Sequence, residues 1–252
     1  MTTVSNTTLA DKNQAYWYVA ANSVFKDKWV HDLQKQISDF LTSNVDWIGI
    51  QLPSNNTERQ TKLMDYACGN GIISMTYIDE SAATIVSPPP VSKCTGIDLS
   101  DGMLDKYRAT TATLGLPEAR MIALQGNLLA PIVQPTNPPL DDEELDSFDL
   151  VAISSYAALG VETTSRWYFL IIDWATRDSL AMNEHASPDA VHPKHPAAHT
   201  ISQDSFTQEQ IVSLYEQAGC GNARFVLADR LSDVLGARSG KMQLFWARAT
   251  KL

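Results

Sequence analysis

Residues 62–74 constrain this chain more than any other stretch. A short apolar run, Leu63 and Met64, ends in Asp65; a turn of small residues follows, Ala67, Gly69 and Gly71; then Ile72, Ile73 and Met75 resume the apolar pattern. That order predicts a strand, a tight loop and a helix. Glycine lets the backbone approach a ligand closely. The helix after it turns free N–H groups and the positive end of its dipole towards whatever the loop holds. In an open α/β sheet such a loop lies at the carboxyl end of a central strand, where these folds bind ligands.

A Gly-x-Gly turn alone is also compatible with a βα connection that holds nothing. The next strand argues for a ligand. Residues 92–98 end in Asp98, 27 residues beyond Gly71, and Leu99 to Leu104 open another helix. An acid roughly 20 residues past such glycines, at the tip of the second strand, is placed to accept hydrogen bonds from ribose hydroxyls. Two matched features in one βαβ unit point to a nucleoside-type cofactor.

With these motifs the chain resembles the class I S-adenosylmethionine-dependent methyltransferases. The likeness is to small-molecule members of the kind common in filamentous fungi, related to the quinone-biosynthesis methyltransferases. It is carried by Leu63 to Gly71, Gly96 to Leu104, Leu124 to Ala130, Phe148 to Val151 and Leu170 to Trp174, in family order. The resemblance implies a Rossmann-like α/β fold with a seven-stranded sheet, mostly parallel. Its last two strands form an antiparallel edge hairpin, helices cover both faces, and residues 1–60 form a helical lid over the domain 61–252. It further implies that Asp65 attracts the methionyl ammonium while Ala67, Gly69 and Gly71 leave room for the methionine part. Asp98, with Leu99 and Met103 beside it, would bind the ribose, and Asn127 with Leu128 the adenine. An Asn amide suits an adenine edge because it both donates and accepts.

Around this core the chain reads in order. Residues 11–24 and 27–41 are expected helices, the second with Val30, Leu33, Ile37, Phe40 and Leu41 at helical spacing. If this N-terminal region packs as a lid, as the resemblance implies, Tyr16, Trp17, Tyr18 and Trp29 touch cofactor or substrate; otherwise they are ordinary core and surface aromatics. A helix is expected over 101–114, then strands over 121–125, 148–153 and 168–173. Thr207 and Gln210 form a capping box, with Phe206 and Ile211 as the matching staple. Strands are expected again at 223–228 and 241–247.

Two departures from the family bear on substrate. Only 14 residues, 154–167, separate the fourth and fifth strands, barely enough for a crossover. Near 199–206, where relatives carry further histidines, this chain has Gln203 and Asp204. His199, Asp204 and Tyr156 are the candidate bases, and Trp174 joins the aromatic candidates for the substrate mouth. His185, His192, His195 and His199 fall in an expected insertion at about 175–205, but Pro188, Pro193 and Pro196 deny them a common helix face. No metal site is therefore expected.

The net charge of −10 argues against a nucleic-acid partner. Cys68, Cys94 and Cys220 are widely spaced and read as buried thiols of a reducing compartment. Without a signal-like N-terminus or a run of 18 apolar residues, a cytoplasmic protein with no membrane partner is expected. Methyl transfer to a small molecule is the leading expectation. The alternatives are the same fold turned to a cyclisation or isomerisation, and a non-catalytic binding protein. A dinucleotide oxidoreductase fits least, because Ser74 stands where a third glycine is expected.

Overall fold

A computed structural model describes residues 8–50, 61–79, 90–128, 140–154, 167–176, 205–237 and 239–251. Within them a single sheet holds seven strands: β1 Thr61–Tyr66, β2 Val91–Asp98, β3 Met121–Gln125, β4 Leu150–Ser154, β5 Tyr168–Ala175, β6 Cys220–Asp233 and β7 Lys241–Lys251. Their spatial order is β3-β2-β1-β4-β5-β7-β6. The first five run parallel, and β7 lies antiparallel between β5 and β6. The expected Rossmann-like α/β sheet, with its antiparallel C-terminal strands, is the observed one.

Both faces of the central strands are covered, so their residues are apolar in succession and divide by parity. Leu63, Cys94, Leu150, Ala152, Leu170 and Ile172 enter one core. Met64, Ile97, Val151, Ile153, Phe169 and Ile171 enter the other. The first core is closed by α2 (Lys28–Ser43), α3 (Val45–Ile48), α4 (Ile72–Ile78) and α5 (Asp101–Thr113), through Ile37, Leu41, Ile48, Ile73, Tyr77, Leu104 and Tyr107. The second takes Leu145 of α6 (Asp142–Leu145), and Ile211 and Tyr215 of α7 (Gln208–Gln217). The Tyr215 hydroxyl donates to the Ala247 carbonyl at 2.9 Å, which fixes α7 against β7. The capping box of Thr207 and Gln210 is present at the start of α7. All three cysteines are buried and free.

Three boundaries differ from the sequence expectation. The first helix, α1, spans Leu9–Ala20, and a separate 3-10 turn spans Val24–Lys26. Thr8 sets its start, because the Thr8 side chain and Asp11 satisfy each other's backbone N–H groups. Strand β6 is more than twice the expected length, because register breaks between Gly221 and Arg224 and between Leu227 and Leu231 disguise its alternation. Strand β7 also runs on to Lys251, since Gln243 to Thr250 pair with the whole of β5. Among the described residues no helix is long and apolar enough to cross a membrane.

Candidate functional site

The sheet order reverses direction between β1 and β4, and the crevice at their carboxyl ends is the place where such sheets take ligands. The loop from β1 to α4 fills that position. Three of its residues carry left-handed backbone: Ala67 (φ 57°), Gly69 (φ 53°) and Gly71 (φ 83°). For Ala67 this conformation costs about 1 kcal/mol. The cost is borne because the neighbours leave little choice. The Ser154 hydroxyl, at the end of β4, donates to the Ala67 carbonyl at 3.2 Å. The Cys68 N–H donates to Ile97 and the Gly71 N–H to Cys68, at 3.2 Å and 2.7 Å.

Asp98 ties the loop to β2. Its carboxylate accepts from the Gly69 N–H at 3.0 Å and from the Ser100 N–H at 2.9 Å. Burial pushes the Asp98 carboxyl up from its ordinary value, and these N–H donors counter the shift. Carboxylate oxygens have further lone pairs, so both hydrogen bonds leave Asp98 able to accept from a ligand hydroxyl. Leu99 is half-buried beside it and Met103, one turn into α5, is buried. Across the tip of β3, the Tyr66 hydroxyl and the Asn127 carbonyl oxygen approach to 3.5 Å, and Leu128 follows, half-buried. The structure therefore gathers Ala67, Gly69, Gly71, Asp98, Leu99, Asn127 and Leu128 around the carboxyl ends of β1, β2 and β3.

Asp65 sits deeper, 1% exposed. One oxygen accepts from both the N–H and the hydroxyl of Ser74, at 3.2 Å and 2.8 Å. The other, Oδ1, is buried with no hydrogen-bond partner. Burial raises the Asp65 carboxyl to about 7; the Ser74 donors oppose the shift and the Asp98 charge adds to it. Ser74 in turn accepts from the Tyr107 hydroxyl at 2.9 Å. Tyr107 can lie there only because β2 has no side chain at Gly96, where a Cβ would fall 2.4 Å from the ring. A Cβ on Gly71 would meet the same ring at 2.8 Å.

Sequence reasoning passed over Ser74, Gly96 and Tyr107 as site residues. Ser74 stands there only as a missing glycine, and Tyr107 only falls within the helix expected over 101–114. A glycine within an otherwise buried strand was the available signal, since it marks close approach by another group.

The aromatic candidates separate into two places. Tyr16 and Trp17 pack edge to face at 4.9 Å on α1, and the Trp17 indole donates to Asn13 at 3.1 Å. The Tyr18 side chain is 60% exposed, while its backbone rests on the start of α5. Trp29 and Trp174 instead pack together against Val234, Ala237 and Met242, at the end of the β6–β7 hairpin. The Trp29 indole nitrogen is buried there without a partner. Phe25, on the 3-10 turn, is the residue that faces Gly69, 3.7 Å from the position of its missing Cβ. Tyr156, His199 and Asp204 lie outside the described residues, as do the other three histidines of the insertion and most of the short crossover.

These features fit a nucleoside-bearing, cationic ligand. The loop has small residues at Ala67, Gly69 and Gly71, an unpaired carboxylate oxygen lies beneath it, and a second carboxylate stands at the β2 tip. The Ser100 hydroxyl, also buried and unpartnered, begins α5 beside that second carboxylate.

No family model matches the sequence, and no curated protein matches it. Solved structures do match by fold. The geranyl diphosphate C-methyltransferase of Streptomyces coelicolor A3(2), in complex with S-adenosyl-L-homocysteine, superposes with a TM-score of 0.55 at 14% identity, over 98% of this chain and 99% of that one. Magnesium protoporphyrin IX methyltransferase of Synechocystis PCC 6803, with bound S-adenosylmethionine, gives 0.54 at 10% identity, over 98% and 99%. The chain has the fold of these methyltransferases.

Proposed function

We propose that this protein transfers a methyl group from S-adenosylmethionine to a small-molecule acceptor. The observation that carries the reading is the hydrogen bond from the Gly69 N–H to Asp98. It joins the glycine loop and the β2 acid into one cradle, in a sheet of this strand order. The cofactor supplies a methyl carbon already activated on a sulfonium. The protein's share of the work is to hold that carbon and the acceptor atom aligned and dry.

In this reading Ala67, Gly69 and Gly71 make room for the methionine part. The free Oδ1 of Asp65 takes the ammonium, because a buried, unpaired carboxylate oxygen gains most from a cation. Asp98 takes the ribose hydroxyls, flanked by Leu99 and Met103, and Asn127 and Leu128 take the adenine. Residues 1–60 act as a lid on the domain 61–252, bringing Tyr16, Trp17, Tyr18 and Trp29 to an acceptor mouth completed by Trp174. Such a mouth suits a planar, apolar acceptor, a secondary metabolite of the kind methylated by the fungal enzymes the sequence resembles, in the cytoplasm. His199, Asp204 or Tyr156 removes a proton where the acceptor must lose one.

Calorimetric titration with S-adenosylmethionine and with S-adenosylhomocysteine tests the site. Micromolar binding of both is expected, and Asp98→Ala is expected to abolish it with an unchanged far-ultraviolet spectrum. Undiminished binding by that variant would sink the assignment. Binding without consumption of the methyl donor, across a panel of acceptors, would favour the same fold turned to another reaction.

A further inference from the structure

We propose that Arg224 and Arg248 form a binding site for a phosphate-type dianion on the C-terminal edge strands of the sheet, away from the glycine loop. The two arginines face each other directly across the antiparallel β6–β7 ladder. Like charges so placed repel, and this chain had ample means to cancel them, with 29 acidic residues against 19 basic ones. Yet neither guanidinium pairs with a carboxylate among the described residues. The Arg248 Nε is buried without a hydrogen-bond partner. Burial and then the Arg224 charge push the Arg248 guanidinium below its ordinary range; among the described residues Tyr168 and Tyr215 act in the other direction.

The Arg248 guanidinium is also held in place. It lies 5.8 Å from the Trp47 ring centroid and 5.7 Å from that of Tyr168, cation–π distances on two sides. A fixed planar fork is what bidentate recognition of a phosphate needs. The two arginines line a pocket of about 460 Å³ together with Tyr168, Asn222, Ala223 and Thr250, so an amide and a hydroxyl accompany them. Two cations match a dianion in charge, and the volume exceeds that of phosphate alone, leaving room for a small group esterified to it. Arg248 is level with Leu170 of β5 and, through Ala152 of β4, with Asp65 of β1, so the pair stands three and four strands across the sheet from β1, about 15–20 Å from the strand that leads into the glycine loop. The site is therefore independent of the methyl-transfer reading.

The test is thermal unfolding of the whole protein in sodium phosphate, in phenyl phosphate and in chloride at matched ionic strength, with Trp47 fluorescence as a second readout. The wild type is expected to gain stability from phosphate beyond chloride. Arg224→Gln is expected to unfold at a higher temperature than the wild type in chloride, because the repulsion is relieved, and to weaken phosphate binding about tenfold or more. Arg248→Lys, which keeps the charge but not the fork, is expected to lose most of the response as well. Tighter binding of phenyl phosphate would identify an ester as the occupant and equal binding free phosphate; both uphold the site. A wild type indifferent to phosphate, or an Arg224→Gln variant with the full phosphate response, would overturn it.

Discussion

Asp65 illustrates how one buried group can couple folding, pH and ligand. Its carboxyl is held near 7 in the folded chain against 3.8 for the free side chain. Between those values the unfolded chain has released a proton that the folded chain keeps. Stability contributed by this group is therefore full below about pH 4 and lost as pH rises through about 7, a change on the order of a few kcal/mol. Asp98, raised in the same direction and close by, adds to the fall. Asp65→Asn keeps an acceptor for the Ser74 donors and removes the charge. Its melting temperature is expected to vary less than that of the wild type from about pH 5 to about pH 8, and to exceed it at the upper end. An unchanged pH profile would show that Asp65 is not the group responsible. The acid and the glycines were legible in the sequence, because their spacing follows from the geometry of one βα turn. The support beneath them was not, since Gly96, Tyr107 and Ser74 meet only through the packing of α5 on β2, which no local spacing encodes.

At the scale of elements, α1 and α2 hold on in different ways. Helix α2 buries Val30, Ile37 and Leu41, and Gln36 accepts from the Ser232 hydroxyl of β6 at 2.7 Å. Helix α1 has no buried residue of its own. Its closest seat is the backbone of Tyr18 on Gly102, where a Cβ would stand 2.7 Å from the Tyr18 carbonyl oxygen. Gly102→Leu is expected to lift α1 with little change in global melting temperature. Amide exchange of residues 9–20 would then rise towards that of free peptide while α5 stays protected. Equal loss of protection in both helices would contradict this account. The amphipathic pattern of α2 made it readable in advance. The ends of α1 were not readable, because a capping box, not apolar periodicity, sets where it begins. For the same kind of reason β6 was read short: two register breaks in its ladder with β7 interrupt its alternation, and only the pairing that resumes after each break restores the length.

At the scale of the whole molecule, the strand order does most of the positioning. It places the reversal between β1 and β4, with the Ser154 hydroxyl of β4 holding the Ala67 carbonyl of the loop. It also leaves the arginine pair on the C-terminal edge strands of the same sheet. Chain order and spatial order part company a second time at the insertion of β7 between β5 and β6. During synthesis, β5 must wait as an open edge until residues 241–251 have left the ribosome, although β6 is already made. A chain stalled with β7 still inside the exit tunnel is expected to be cut readily by protease, and release of the strand to confer resistance within the time of one folding event. The last strand is thus a clock as well as a structural member, and translation speed near its codons becomes a determinant of yield.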